Sequence, residues 1–317
     1  MKKFYIFIAL IFSSSYLLIS SPPALAQTGE GLTISPPIAE LNFDPGKTYK
    51  ETIKLNNPTK DLVTVYPVAR NFTASGETGV PAIESPNQDA TYGLATWVSF
   101  SQTKLALTPE QEIEFQYTIT VPANAEPGGH YAAVLFASEP PSPTGETTQV
   151  ALASMVGSLV LGTVSGNIVE KGSIVEFSSE GHLFLKPPVN FTLRIGNTGN
   201  VHFAPQGQTT VTNWGKTVST QDINPTKGNV LPNSIRRFDG LKFTGKWYSF
   251  GKFNVTLAAT YGVGNQPLSG SFSFWIIPWW LITIIVLIIA AIIFFLIRPK
   301  KKRSDRKKRV ILQWQER

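Results

Sequence analysis

Apolar and polar residues alternate with a period of two along most of this chain, the mark of half-buried β-strands. From Glu112 to Val121 the residues Ile113, Phe115, Tyr117, Ile119 and Val121 fall on one face, and Glu112, Glu114, Gln116, Thr118 and Thr120 on the other. Lys252–Tyr261 repeats this, with Phe253, Val255, Leu257, Ala259 and Tyr261 predicted to face inward. Shorter predicted strands are Thr52–Leu55, Asp61–Val68, Tyr131–Phe136 and Phe191–Ile195. Pro and Gly interrupt these runs about every ten residues, as in a sandwich of short strands.

Two stretches break the pattern by being almost wholly apolar. Phe4–Ile19 follows Lys2 and Lys3 and precedes Ala24-Leu25-Ala26, the three parts of a secretory signal. Residues 1–26 are therefore expected to be removed, leaving Gln27 first. Trp275–Ile297 is uncharged and about 23 residues long, enough to cross a hydrocarbon core. Trp275, Trp279 and Trp280 cluster at one end of it, and Arg298, Lys300, Lys301, Lys302 and Arg303 follow the other. Aromatic residues favour a membrane–water interface and cations favour the cytoplasmic side, so these eight residues are the expected membrane-interface set. The chain reads as a single-pass plasma-membrane protein, with its N-terminal part outside and residues 298–317 as a basic cytoplasmic tail.

Between the membrane segments the fold class is all-β. We expect two immunoglobulin-like antiparallel β-sandwiches, at 27–139 and 148–273, followed by the single C-terminal transmembrane α-helix at 275–297. The Pro-rich run Glu139–Glu146 resists strand pairing and suggests a linker at 140–147. Each half carries a strand, an Asn-rich turn and another strand, at Asn56-Asn57-Pro58-Thr59 and Gly196-Asn197-Thr198-Gly199-Asn200. Asn suits hairpins, so hairpins are expected at both places. Trp97, Trp214 and Trp247 are expected in the cores, His130 and His202 on solvent-facing strands. The polar stretch Asn71–Ala95 is the preferred ligand-contact surface, as a long insertion on a rigid scaffold.

Charge sharpens the topology. Residues 298–317 hold ten Lys/Arg against Asp305 and Glu316; removing that +8 and the +2 of Lys2 and Lys3 from the chain's +7 leaves −3 for residues 4–297. The basic ends argue for anionic lipid headgroups as partner of the tail, and the folded part offers nucleic acid no basic surface. The chain has no cysteine, which removes thiol nucleophiles, thiolate metal sites and lipoprotein acylation. His130, His182 and His202 have no metal-ligand spacing, and no nucleophile elbow or phosphate-binding glycine loop is present. No catalytic, cofactor or metal residue is assigned, and the chain is not expected to be an enzyme.

Gly31-Leu32-Thr33-Ile34-Ser35-Pro36-Pro37, Pro45-Gly46 and Glu126-Pro127-Gly128-Gly129-His130-Tyr131-Ala132-Ala133-Val134-Leu135-Phe136 resemble the N-terminal domain of WxL-interacting surface proteins of Gram-positive bacteria. The likeness covers residues 31–138, and the order of signal, β-modules, helix and basic tail is similar as well. It implies binding rather than catalysis, with peptidoglycan and other surface proteins as ligands. The other function expected of such a chain is a structural stalk or accessory subunit of a membrane-bound assembly.

Overall fold

A computed structural model describes residues 31–85, 91–140 and 155–298. The signal at 1–26, the linker beyond Pro140, and Lys300, Lys301, Lys302 and Arg303 of the tail lie outside these residues. The described chain is mostly β-strand, with one long apolar helix at its C-terminal end.

The first half contains β1 (Thr33–Ser35), β2 (Ile38–Phe43), β3 (Thr48–Asn56), β4 (Val63–Ser75) and β5 (Val80–Ile83). It continues with β6 (Val98–Phe100), β7 (Leu105–Leu107), β8 (Glu112–Thr120), β9 (Gly128–Ala137) and β10 (Val156–Val164). One sheet has the order β1-β3-β8-β6; the facing sheet runs β2-β10-β9-β4-β5, with β7 also on β4. Their inner faces enclose Phe43, Ile53, Leu55, Phe115, Tyr117, Ile119, Val134 and Phe136. The alternation of β8 is as expected, Phe115, Tyr117 and Ile119 being buried and their neighbours mostly not. β9 is buried along its whole length. Its other face carries Tyr131, Ala133 and Leu135 into a separate apolar cluster with Val68, Phe72 and Leu161, which is why the strand reads as a continuous apolar run.

β10 corrects the expected boundary. It lies antiparallel to β9, from Val156 opposite Phe136 to Val164 opposite Gly128, and parallel to β2. Of the unit expected at 148–273, the segment Val156–Val164 completes the sheet of the preceding half. The strands on either side of the Pro-rich run, β9 and β10, are neighbours in one sheet, while the run beyond Pro140 lies outside the described residues. The chain passes between the sheet pairs at Ser165–Lys171 instead.

The second half comprises β11 (Gly172–Ser179), β12 (Leu183–Phe184), β13 (Val189–Asn197), β14 (Gln206–Asn213) and β15 (Lys216–Asp222). It ends with β16 (Ser234–Phe238), β17 (Lys242–Phe243), β18 (Gly251–Tyr261) and β19 (Gln266–Ile276). β11-β13-β16 form one sheet, with β17 also on β13; β12-β19-β18-β14-β15 form the other. Phe191, Leu193, Ile195, Val255, Leu257 and Ile276 fill the space between them. Phe253 and Phe274 stack there with ring centroids 5.3 Å apart.

The Asn-rich turns are arches between sheets rather than hairpins, since β3 and β4 lie in different sheets, as do β13 and β14. Both are built on a buried asparagine. Asn57 Nδ2 donates to the carbonyls of Asp61 (2.8 Å) and Thr108 (3.0 Å), and its Oδ1 accepts the Thr59 N–H (3.0 Å). Asn197 Nδ2 donates to Val201 (2.8 Å) and Val230 (2.9 Å), and its Oδ1 accepts the Gly199 N–H (2.9 Å). In each case one side chain supplies the bonds at positions two and four residues ahead and reaches distant carbonyls as well, Leu107 and Thr108 for Asn57 and Val230 for Asn197. The main-chain groups that an arch strips of ladder partners are thus satisfied inside the protein.

The helix, α1 (Trp279–Ile297), begins four residues later than expected. Trp275 lies in β19, paired with Lys252 and Leu183. The apolar run hides this change because buried strand and membrane helix draw on the same residues. Pro278, at the N-cap, is the true punctuation, with its fixed φ and missing N–H. Only Ile277 and Pro278 separate strand from helix.

Replacing Asn197 with Ala removes two donors from buried carbonyls and is expected to lower unfolding stability by about 2–3 kcal/mol. Asn57→Ala is expected to cost a similar amount. Denaturant unfolding of the detergent-solubilised protein measures both; a loss under about 0.5 kcal/mol would show that the arches do not depend on these side chains.

Candidate functional site

A network of polar contacts lies where the two sheet pairs meet. Tyr131 reaches across from β9 to His202. Its phenol oxygen accepts the His202 main-chain N–H at 3.1 Å and lies 3.2 Å from Nδ1, to which it can donate its own proton. The phenol thus bonds a residue 71 positions away in the chain. One residue pair along, the Gly129 N–H donates to the Asn200 carbonyl at 2.7 Å. The Asn200 side chain donates to the carbonyls of Pro127 and Asn167 and accepts the Val169 N–H. Gly128, at φ 125°, could not carry a side chain, because a Cβ would lie 2.6 Å from the Asn200 carbonyl oxygen.

His130 and His202 are therefore not the solvent-facing residues expected. His130 is buried, its ring tilted against Trp97 with centroids 4.5 Å apart, and its Nε2 lies 2.9 Å from the Glu126 carbonyl. Burial lowers the basicity of His202, and a neutral ring suits an Nδ1 that accepts the Tyr131 proton. Burial likewise raises the Tyr131 phenol, which keeps that proton.

A second contact comes from the Asn71–Ala95 stretch. Its β4–β5 hairpin docks on the second half, where Glu77 forms a two-pronged ion pair with Arg194 and its carbonyl accepts the Arg237 N–H at 2.7 Å. The guanidinium holds the Glu77 carboxyl below its ordinary range. Arg236 packs flat against Gly79 and Gly228, leaving no room for a Cβ at either glycine. The tip of the expected ligand surface is thus held against the protein itself at Glu77 and Gly79.

Beside this junction lies a cleft of about 940 Å³. One wall is the face of β2 and β10 that carries Glu40, Asn42, Leu161 and Thr163; the other is formed by Glu170, His202, Val263 and Gln266. β2 bonds β10 through the Pro37 and Phe43 carbonyls at the two ends of the pairing. Parallel pairing alternates, so Ala39 and Leu41 face β10, whereas Glu40 and Asn42 turn their main-chain groups outward. Among the described residues no strand pairs with that outer edge. Asn229 bridges the cleft by donating to the Glu40 carboxylate at 2.7 Å.

The expected membrane-interface residues are drawn together only in part. Trp279 opens α1 and is exposed, while Trp280 packs its ring 6.0 Å from that of Trp247. Trp275 is half-exposed on β19. Arg298 caps the far end of α1 and sits over the Phe294 ring at 4.5 Å. Trp97 packs against the first core as expected. Trp214 and Trp247 do not enter a core; they are 74% and 73% exposed. The structure also brings forward residues that periodicity passed over, notably Asn200 and Glu77, whose partners lie in the other half of the chain. The sequence signal for them was weak: a Gly-Asn turn, and one acid in a polar loop.

Tyr131→Phe removes the acceptor for a largely buried N–H and is expected to cost about 1–2 kcal/mol. Hydrogen exchange at the His202 amide should rise with it; unchanged protection would refute the bond. His202 has a lowered folded pKa, so the unfolded chain takes up the proton more readily. Stability is then fully present above the ordinary imidazole range and falls as the pH drops through it. His202→Asn, which keeps an acceptor near Nδ1 without titrating there, should flatten that slope in melting curves. Glu77 has a lowered folded pKa as well; its contribution persists at neutral pH and disappears only as acid protonates the carboxylate below its ordinary range.

No family model matches the sequence, and no curated protein matches it. Among solved structures, the class 5 fimbriae chaperone CfaA aligns over 78% of this chain and 100% of its own, at 15% identity and a TM-score of 0.38. The Salmonella enterica SafA pilin in complex with the SafB chaperone gives 78% and 96% coverage, 11% identity and a TM-score of 0.34. The E. coli chaperone DraB gives 77% and 96%, 13% and 0.33. No residue role or partner is carried over from them.

Proposed function

We propose that this chain is a non-catalytic bacterial surface protein that binds an extended segment of another surface protein along the open edge of β2. Each sheet pair is read as an immunoglobulin-like sandwich. α1 anchors the protein in the plasma membrane, with the sandwiches outside and the basic tail inside; the helix is long and apolar enough to cross a bilayer. The single observation that carries the binding role is the unpaired β2 edge, which borders the cleft. Main-chain groups along an edge give an incoming strand its affinity, and the pockets beside it give selectivity. The junction contacts hold the opposite wall of the cleft in place, so the site is preformed. The resemblance to WxL-interacting proteins points to the same class of ligand.

A wall polymer is the second reading. Glu40, Asn42, Glu170 and Gln266 give the cleft the polar lining that a glycan chain would use. A purely structural stalk would need neither an open edge nor a cleft.

Proline substitution separates the readings, since it deletes one N–H and leaves the rest of a strand in place. Asn42→Pro removes a donor that faces outward, so capture of a surface-protein partner should fall at least about tenfold while the melting temperature changes little. Leu41→Pro removes a bond to β10 and should destabilise the fold by about 3 kcal/mol. Partner capture undiminished in Asn42→Pro rules out strand addition. Retention on insoluble peptidoglycan that survives the same change supports the polymer.

A further inference from the structure

The end of the second sheet pair that meets α1 is unlike any other part of the described surface. β19 runs into the helix, and β18 starts beside it, with Gly251 opposite Ile276. β12 lies parallel to the end of β19, Leu183 opposite Trp275. The β14–β15 turn reaches the same level, because Asn213 pairs with Phe253 and its side chain donates to the Lys252 carbonyl at 3.0 Å. Three loops and the strand–helix joint therefore share one rim.

That rim is apolar where it should be wet. Leu183, Leu185, Trp214, Trp247, Phe250 and Trp275 are between 47% and 74% exposed. Trp247 leans on Trp280, the second residue of the helix, and Leu185, Pro187 and Trp279 share a hollow of about 540 Å³ with it. Trp214 lies over Gly251, where a Cβ would come within 3.2 Å of its ring. Lys186, Lys216, Lys246 and Lys252 stand among these side chains, and segments 182–188, 213–217, 244–252 and 274–279 contain no Asp or Glu. Large aromatic rings with lysines and no acids are what a headgroup layer accepts, the ring entering the interface and the ammonium meeting phosphate. A soluble surface would expose this much tryptophan only at a contact site.

We propose that this rim is a lipid-seating surface, which rests on the anionic headgroups of the bilayer that α1 crosses. The occupant follows from the joint: Ile277 and Pro278 alone separate β19 from α1, so the rim cannot stand more than a few ångströms from the membrane once the helix is inserted. The inference rests on the reading of α1 as membrane-spanning, and adds that the sandwich loops enter the interface with it. Trp214 and Trp247, which would be misplaced in water, are then in their preferred medium.

The absence of cysteine makes the test direct. Single cysteines replace Trp214, Trp247, Ile288 or Val263 in the full chain, carry an environment-sensitive fluorophore, and are reconstituted in lipid nanodiscs containing a lipid-borne quencher. Ile288 lies within α1; Val263, 95% exposed, sits at the other end of β18, roughly 35 Å up the strand. Labels at 214 and 247 should be quenched at least about twofold more than at 263, and more strongly with phosphatidylglycerol than with phosphatidylcholine alone. Quenching at 288 with none at 214 or 247 overturns the seating while leaving the anchor intact. No quenching at 288 overturns the membrane reading itself. Equal quenching in neutral and anionic discs overturns the anionic headgroup as the occupant. Labels at 214 and 247 that are shielded from water yet unquenched assign the rim to a protein partner instead. Trp214→Ser with Trp247→Ser, in place of the cysteines, should leave the melting temperature nearly unchanged, since neither ring fills a core.

Discussion

Everything outside the two cores depends on the sheet pairs being held at one angle. A seven-residue passage such as Ser165–Lys171 would ordinarily leave two domains free to swing. Here the main-chain bond from Gly129 to Asn200, the phenol of Tyr131 on His202, and the Glu77–Arg194 pair grip the joint from different sides. These contacts differ in kind. The first two are buried neutral bonds, costly to leave unmade; the ion pair is half-exposed and loses part of its attraction to solvent and salt. The buried bonds therefore set the geometry, and the hairpin carrying Glu77 acts as a brace.

Fixing that angle gives the cleft its second wall and keeps β2 beside it. It also lines up the rest of the chain. From the cleft, β18 and β19 run the length of the second sheet pair as one continuous hairpin, and β19 enters α1 almost without interruption. The open edge of β2 and the apolar helix α1 thus belong to one path, with a braced joint near its top and an aromatic rim at its foot. Proposed partner and proposed lipid contact occupy opposite ends of that path.

How much of this was legible in the sequence follows from what each signal measures. Alternation reports a strand with one wet face, and β8 and β18 were placed within a residue. It says nothing of which sheet a strand joins, so β10 was assigned to the wrong half. The two asparagines were noticed, and their shared role was hinted at, but hairpins and arches have the same local chemistry. Trp214 and Trp247 were expected in a core because apolar residues usually mean burial by protein; both stand exposed instead, and composition alone does not tell a core from an exposed rim. Trp275 was given to the helix for a related reason, since strand and membrane span merge into one apolar run. His202 and Tyr131 could not have been paired, because their contact exists only once two halves have folded and met.

The parallel pairing of β2 with β10 has a consequence for assembly. Residues 38–43 must find partners about 120 positions further on, so the first sheet pair cannot close until just over half the chain has been made. Contacts so distant in sequence form late, since a long loop must be gathered first. Until Val164 is in place both edges of β2 are bare, and the segment is open to pairing with neighbouring chains. A growing polypeptide of this kind has a long vulnerable interval early in its life, which places a premium on whatever keeps its first strands apart from their neighbours while synthesis continues.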